Sequence, residues 1–396
     1  MRCNVADDGT ITAFYGDSNY TDDGSNGQVM VYQPKFYYQR TPITTIDLNE
    51  GKIVRKESII LSERLQSGFK LHPLFINEEG EEVDYVLLPA YEGSIYDTSE
   101  NNYDLTSSLT IDFTQDKLSS IANAKPISGE SNNFTSILAE HLAQNRGEGW
   151  HITNMAAESA NQMLEMVEFG SMNGQESLEK GIVGIAGVKG KNNASNTGST
   201  STLGNNSGAA ASTTNITNGT TQTYNTPGYR AISYRGMENP WGNIWHFIGG
   251  VNIYGQGNNE GGIPYICKDF NYDISSIENY ENIGFRLPSL HSWITAMGYG
   301  NEKYDWVYMP IECSSNGNSA LPVGDNLWTS PGLNGINATV VGGSWGADES
   351  GGPFYYGCDY EGNKTSASYG ANIMFIPKKN NIYTTNYNKW LAKFKG

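Results

Sequence analysis

The side chains that could act as acids, bases, nucleophiles or metal ligands are scattered in this sequence. His72 stands before Pro73 in Lys70-Leu71-His72-Pro73-Leu74-Phe75, His246 lies within Asn243-Ile244-Trp245-His246-Phe247, and His291 follows Leu290. No two histidines share the short spacing that zinc sites use, so zinc is not expected. A buried, hydrogen-bonded core histidine is the plainer reading of His72. Cys3, Cys267, Cys313 and Cys358 contain no CxxC pair. They are too few and too far apart for a disulfide framework, and are expected to be reduced. The run Gly255-Gln256-Gly257 lacks the following Gly-Lys-Ser/Thr of a phosphate loop. Asp7-Asp8, Asp22-Asp23-Gly24 and Asp348-Glu349 could hold calcium, but none fits the EF-hand pattern and solvated turns explain them as well. No catalytic set emerges, no enzyme activity is expected, and no cofactor is assigned.

What stands out instead is aromatic content. The chain of 396 residues carries 25 Tyr, 13 Phe, 8 Trp and 46 Gly, with only 17% charged residues. Disordered chains are usually charged and poor in aromatics, so this one can build a core, loop-rich and with tyrosines left for its surface. Lys plus Arg number 25 against 42 Asp plus Glu, a formal net charge of −17. That balance disfavours nucleic-acid wrapping, which needs cations to displace counterions, and docking of the whole molecule on anionic membrane. There is no apolar run of transmembrane length, and the first residues, Met1-Arg2-Cys3-Asn4-Val5-Ala6-Asp7-Asp8, lack the apolar centre of a secretion signal. Exposed Tyr and Trp give large contact areas at low rotamer cost, and flat rings stack on sugars. The window from Trp345 to Tyr369 holds Trp345, Phe354, Tyr355, Tyr356, Tyr360 and Tyr369 among Ser350, Gly351, Asp359, Asn363, Ser366 and Ser368. Some of these rings must be core, and the sequence alone does not divide them.

The elements that would position this window alternate between strands and helices. Residues 27–40 are β-branched and aromatic around Pro34 and predict one or two short strands, and 82–91 predicts another. Phe134, Ile137, Leu138, His141 and Leu142 recur with helical spacing, as do Ala156, Ala160, Met163, Leu164 and Val167, with Asn154 a candidate N-cap and Gly170 a candidate stop. Leu290, Trp293, Ile294 and Met297 suggest a third, shorter helix. Between them, Asn192 to Thr226 is almost entirely Ser, Thr, Asn, Gly and Ala. A segment so poor in apolar side chains is expected to be a mobile surface loop, or one ordered by a neighbouring subunit or a shaft of fibre-like strands.

Several segments, taken in order, resemble a family of phage virion proteins with the C-type-lectin fold in the form shared with formylglycine-generating enzymes. They are Gly27-Gln28-Val29-Met30-Val31 with Pro34-Lys35-Phe36-Tyr37-Tyr38, Gly68-Phe69-Lys70-Leu71-His72-Pro73-Leu74-Phe75, Glu82-Val83-Asp84-Tyr85, and Tyr91-Glu92-Gly93-Ser94. Later come Asn145-Arg146-Gly147-Glu148-Gly149-Trp150, Tyr234-Arg235-Gly236-Met237-Glu238-Asn239, Trp241-Gly242-Asn243-Ile244-Trp245 and Gly342-Gly343-Ser344-Trp345. Members of that family include tail-fibre receptor-binding proteins and the variable proteins of diversity-generating retroelements. The resemblance implies an α+β, C-type-lectin-like domain with short irregular strands, two to three helices and a long low-complexity loop. The expected divisions are an N-terminal segment 1–24, the domain 25–377 with the insertion 190–226, and a tail 378–396. The copper-binding cysteine pair of the enzyme branch has no match in Cys267, Cys313 and Cys358, so the resemblance implies a binding scaffold.

By analogy with the retroelement branch, the ligand face would run through Trp345, Tyr355, Tyr356, Asp359, Tyr360, Asn363, Lys364, Ser366 and Tyr369. The family often closes with Gly-Ala-Arg-Leu, whereas this chain has Gly370-Ala371-Asn372-Ile373. The implied role is a virion surface or fibre protein that attaches to a host glycan or protein, is made in the host cytoplasm, and assembles as a homo-oligomer, a trimer by analogy with phage fibres. A capsid or tail decoration protein and a formylglycine-generating-type oxidase are the alternatives. The tail carries Lys378, Lys379, Lys389, Lys393 and Lys395 with no acid, and Tyr383, Tyr387, Trp390, Leu391 and Phe394 form a helical stripe. That pattern suits docking on the acidic body or an anchor in a neighbouring subunit or another virion protein.

Overall fold

The computed structural model describes residues 1–47, 52–361 and 363–378. Tyr383, Tyr387, Trp390, Leu391 and Phe394, the assembly stripe of the tail, lie outside the described residues. Strands make up 37% and helices 10%, so sheets carry this mixed α+β architecture. One sheet of six strands runs in the order Trp150–Ile152, Ile373–Phe375, Tyr85–Pro89, Gln28–Pro34, Arg2–Val5, Ile11–Phe14. The first 24 residues, set apart as a leading segment by the sequence reading, therefore supply two strands to this sheet. Arg2–Val5 pairs antiparallel with Gln28–Pro34, placing Cys3 opposite Met30.

A larger sheet of twelve strands curls into a half-barrel. Its centre is Trp245–Gln256, Asn334–Gly342 and Gly352–Glu361, joined antiparallel. The register of the first strand shifts between Ile248 and Asn252, where Gly250 takes φ 75°, a left-handed conformation that suits glycine. One core packs Val29, Phe75, Leu88, Met163, Ile253, Met297, Val341 and Tyr356 together. A second gathers Cys3, Leu87, Phe134, Trp150, Phe247, Val340 and Tyr369. Both cores draw on residues from either side of the low-complexity stretch.

Helix α1 spans Ser136–Gln144 and helix α2 spans Met155–Phe169. Asn154 caps α2, its side chain accepting from the Ala157 N–H at 2.9 Å, and Gly170 ends it in the left-handed conformation. Both helices sit where the apolar spacing put them, but their faces are rotated. His141 and Val167 are exposed, and Glu140 and Glu165 are buried.

Two expectations need correction. Residues around Leu290–Met297 form no helix: Ser292–Tyr299 is a strand paired with Tyr308–Ser314. Ile294 and Ala296 are buried between partly exposed Trp293 and Thr295, the period of two that a strand shows. The stretch 192–226 is not a loose loop. Asn193, Ser195, Thr197, Thr200, Thr213 and Asn215 are buried in the chain's own body. Small polar side chains let this backbone approach closely and bond its neighbours, as in Asn215 Nδ2 to Asn193 O (2.6 Å) and Thr197 Oγ1 to Ile121 O (2.7 Å). Hydrogen bonds replace the apolar area that the segment lacks.

Two charged groups hold this arrangement from inside. The fully buried Arg2 donates to Gly236 O (2.8 Å), Tyr91 Oη (2.8 Å) and Thr200 Oγ1 (3.0 Å). Its loss strands three acceptors, so Arg2→Ala is expected to cost about 3–5 kcal/mol in chemical denaturation. His151 lies between Glu140 and Glu78, each 2.7 Å from a ring nitrogen. Burial opposes its charge, but hydrogen bonds to Glu140 and Glu78 outweigh it and raise its pKa to about 9. A raised folded-state pKa stabilises fully below the unfolded value of about 6.5 and is lost as pH rises through about 9. Melting curves across that window should fall by about 2 kcal/mol, allowing for screening at half-exposed Glu78. His151→Gln should flatten this decline.

Candidate ligand-binding face

The strand Gly352–Glu361 carries most of the expected ligand rings, and it lies inside the curled sheet. Successive side chains alternate between its two faces. Phe354, Tyr356 and Cys358 enter one core and Tyr355 the other, and Tyr360, past a register shift between Gly357 and Tyr360, joins Tyr355. The Tyr356 hydroxyl donates to Tyr308 O at 3.2 Å and accepts from Gln162 Nε2 at 2.7 Å. The Tyr355 ring packs on Trp245 with centroids 4.4 Å apart. Tyr369 is wedged between Tyr360 (4.7 Å) and Phe247 (5.8 Å). The expected aromatic face through Tyr355, Tyr356, Tyr360 and Tyr369 is therefore packing, because the strand is covered on both sides.

Trp345 is also buried, in a small cluster with Ile185 and Ala194, and it lines a surface groove with Ser366 and Ser368. Ser366 is held locally: its hydroxyl lies 3.1 Å from that of Ser368 and its carbonyl accepts from the Gly129 N–H. Asn363 and Lys364 are exposed. Asp359, Tyr360, Lys364 and Tyr369 come together at one end of the strand, while Trp345 with Ser366 occupies a separate groove.

The exposed aromatic at that end is Trp328. The strand Asn326–Trp328 pairs parallel with Gly352–Glu361, setting Leu327 beside Tyr356 and Trp328 beside Gly357. Leu327 faces the core, so by alternation Trp328 turns out, where it is 39% exposed. His291 packs on it with ring centroids 4.3 Å apart, and the adjoining Leu290 is 46% exposed. Asp359 sits beside them. Burial raises its pKa, and Lys364, His291 and a hydrogen bond from Trp328 offset part of that rise. Burial also lowers the pKa of His291, against the pull of Asp359. One oxygen of Asp359, Oδ1, is buried and has no hydrogen-bond partner among the described residues. Lys364 Nζ stands 4.6 Å over the Tyr360 ring, which fixes a cation at the rim.

This arrangement offers a flat ring, a half-buried carboxylate beside it, and a neighbouring cation. Those are the groups that stack on a sugar face and bond its hydroxyls. The sequence reading missed Trp328 and placed His291 on a helix. No local pattern marks Asn326-Leu327-Trp328 as a strand; its place is set by parallel pairing with Gly352–Glu361.

The remaining candidates for chemistry are quiet. His72 is a core residue whose Nδ1 accepts from the Leu74 N–H at 3.2 Å, and burial lowers its pKa to about 3. All four cysteines are free, and burial pushes the thiols of Cys267 and Cys313 up to about 12. Among the described residues no three His, Cys, Asp or Glu side chains converge as a metal site, and no helix is long and apolar enough to cross a membrane. No protein-family profile matches the chain, and no curated protein matches it.

The split between buried and exposed rings can be measured. Trp328→Ala removes a surface ring and should shift stability by no more than about 0.5 kcal/mol. Tyr360→Ala empties part of a core and should cost about 3–5 kcal/mol by the same denaturation assay.

Proposed function

We propose that this chain is a phage virion surface or fibre protein with a C-type-lectin-like domain, and that it attaches the particle to a host cell-surface glycan or protein. The observation that carries the reading is the exposed Trp328–His291 pair beside the half-buried Asp359, at the end of the strand where the family resemblance implies a ligand face. The binding face thus moves from the buried tyrosines to Trp328, His291, Asp359 and Lys364.

The resemblance itself gains support from where its segments meet. Glu92 of Tyr91-Glu92-Gly93-Ser94 accepts from Asn239 and Asn243, which belong to two later segments. The N–H groups of Gly242 and Trp345 bond Gly342 O (3.0 Å) and Asn243 O (2.9 Å), bringing in the last one. High-pKa, buried thiols fit a binding scaffold better than an oxidase. A single aromatic plate binds weakly, and several copies on one particle raise avidity by about 10²–10⁴. Homo-oligomeric display, as a trimer joined to other virion proteins, follows from that reading.

Adhesion of labelled protein to host cells, followed by a glycan array, tests it. Trp328→Ala and Asp359→Asn should each weaken binding by tenfold or more, since central aromatic anchors contribute about 2 kcal/mol. Binding that survives both substitutions unchanged would remove this face from the function and favour a decoration role.

A further inference from the structure

Helix α2 carries Glu158, Asn161, Gln162 and Glu165 at i, i+3, i+4 and i+7, a single helical face. That face turns toward the protein interior, where apolar side chains would ordinarily sit. With Thr153, His246 and Glu238 it lines an internal cavity of about 40 Å³. A water needs roughly 10–15 Å³ measured this way, so the space suits an ion with one or two waters.

The lining is short of hydrogen-bond partners. Thr153 Oγ1, Asn161 Oδ1, Gln162 Oε1, Glu165 Oε2 and His246 Nδ1 are all buried and unpartnered among the described residues. Gln162 is 1% exposed and Glu165 is 4% exposed. The orientation of Gln162 is set, because its Nε2 donates to Pro353 O (2.8 Å) and Tyr356 Oη (2.7 Å), which leaves Oε1 free. Asn161 Nδ2 faces Met237 Sδ at 3.7 Å, which likewise leaves its oxygen. Glu238 is already committed to the Gly198 and Thr200 N–H groups and the Thr200 hydroxyl, each at 2.7 Å. Stranding several buried acceptors costs about 1–3 kcal/mol each, so an occupant that satisfies them would stabilise the fold.

We propose that this cavity binds one calcium ion, held by the carboxylates of Glu158 and Glu165 with the amide oxygens of Asn161 and Gln162. Two carboxylates balance the double charge. An almost all-oxygen set matches a hard cation, and calcium accepts irregular coordination where magnesium demands an octahedron and keeps its waters. Glu158, only partly buried, marks the solvent side.

The full chain, stripped with chelator and titrated with calcium by calorimetry and thermal melting, tests this. One calcium per chain is expected, with Tm rising by several degrees at saturation and a much smaller response to magnesium. Glu165→Gln keeps the side-chain volume and one oxygen while removing the carboxylate, so it should fold and lose the calcium response. Asn161→Ala should weaken affinity by about tenfold, the scale of one lost ligand interaction, and serves if the first variant is unstable. Absence of stoichiometric calcium binding to the natural chain would overturn the proposal, as would undiminished affinity in the variants.

Discussion

A buried carboxyl group joins parts of this chain that are far apart in sequence. Glu92, held nearly free of water, accepts from Asn239 Nδ2 at 3.0 Å and Asn243 Nδ2 at 2.6 Å. Burial raises its pKa well above the usual range, and its bonds to the two amides offset part of the cost of its position. Both asparagines take positive φ, 47° and 58°, conformations that asparagine adopts more readily than most residues. Asn243 passes the connection on by accepting from the Ser195 N–H at 2.7 Å. One residue before the glutamate, Tyr91 bonds Arg2, and Arg2 reaches Thr200, which donates to Glu238. The first strand, the low-complexity stretch and the second half of the chain thus meet in one polar network. Both amides bond the same oxygen, Glu92 Oε2, and removing one member of such a buried network is costly.

With the N-terminal sheet, α1 and α2 locked against the curled sheet, Gly352–Glu361 is covered on both faces and its rings become core. Only the end of that strand, beside Asn326–Trp328, stays open. A binding face placed there rests on a rigid element and not on a free loop, which lets its groups hold position before a ligand arrives.

Much of the fold was legible in the residues, for identifiable reasons. α2 announced itself through apolar spacing, an asparagine cap and a terminal glycine, all local signals. The strands Gln28–Pro34 and Tyr85–Pro89 showed through β-branched and aromatic runs. The error at Ser292–Tyr299 arose because Leu290, Trp293, Ile294 and Met297 happen to fall at helical spacing, while tertiary pairing with Tyr308–Ser314 imposed a strand. The order of residues 192–226 was hidden because its stabilisation comes from hydrogen bonds to Ile121, Glu238 and Asn243, distant in sequence. The candidate site was half visible: Asp359 and Lys364 belong to it, whereas Trp328 and His291 reach it only through a parallel strand pairing that sequence alone does not reveal.

Hydrogen–deuterium exchange of the full chain, with and without isolated host-surface polysaccharide or receptor, bears on the central claim most directly. Protection confined to residues 289–293, 326–330 and 357–366 is the predicted result, since these segments frame Trp328, His291, Asp359 and Lys364. Protection located elsewhere on the molecule, with these segments unchanged by a ligand that demonstrably binds, would contradict the account.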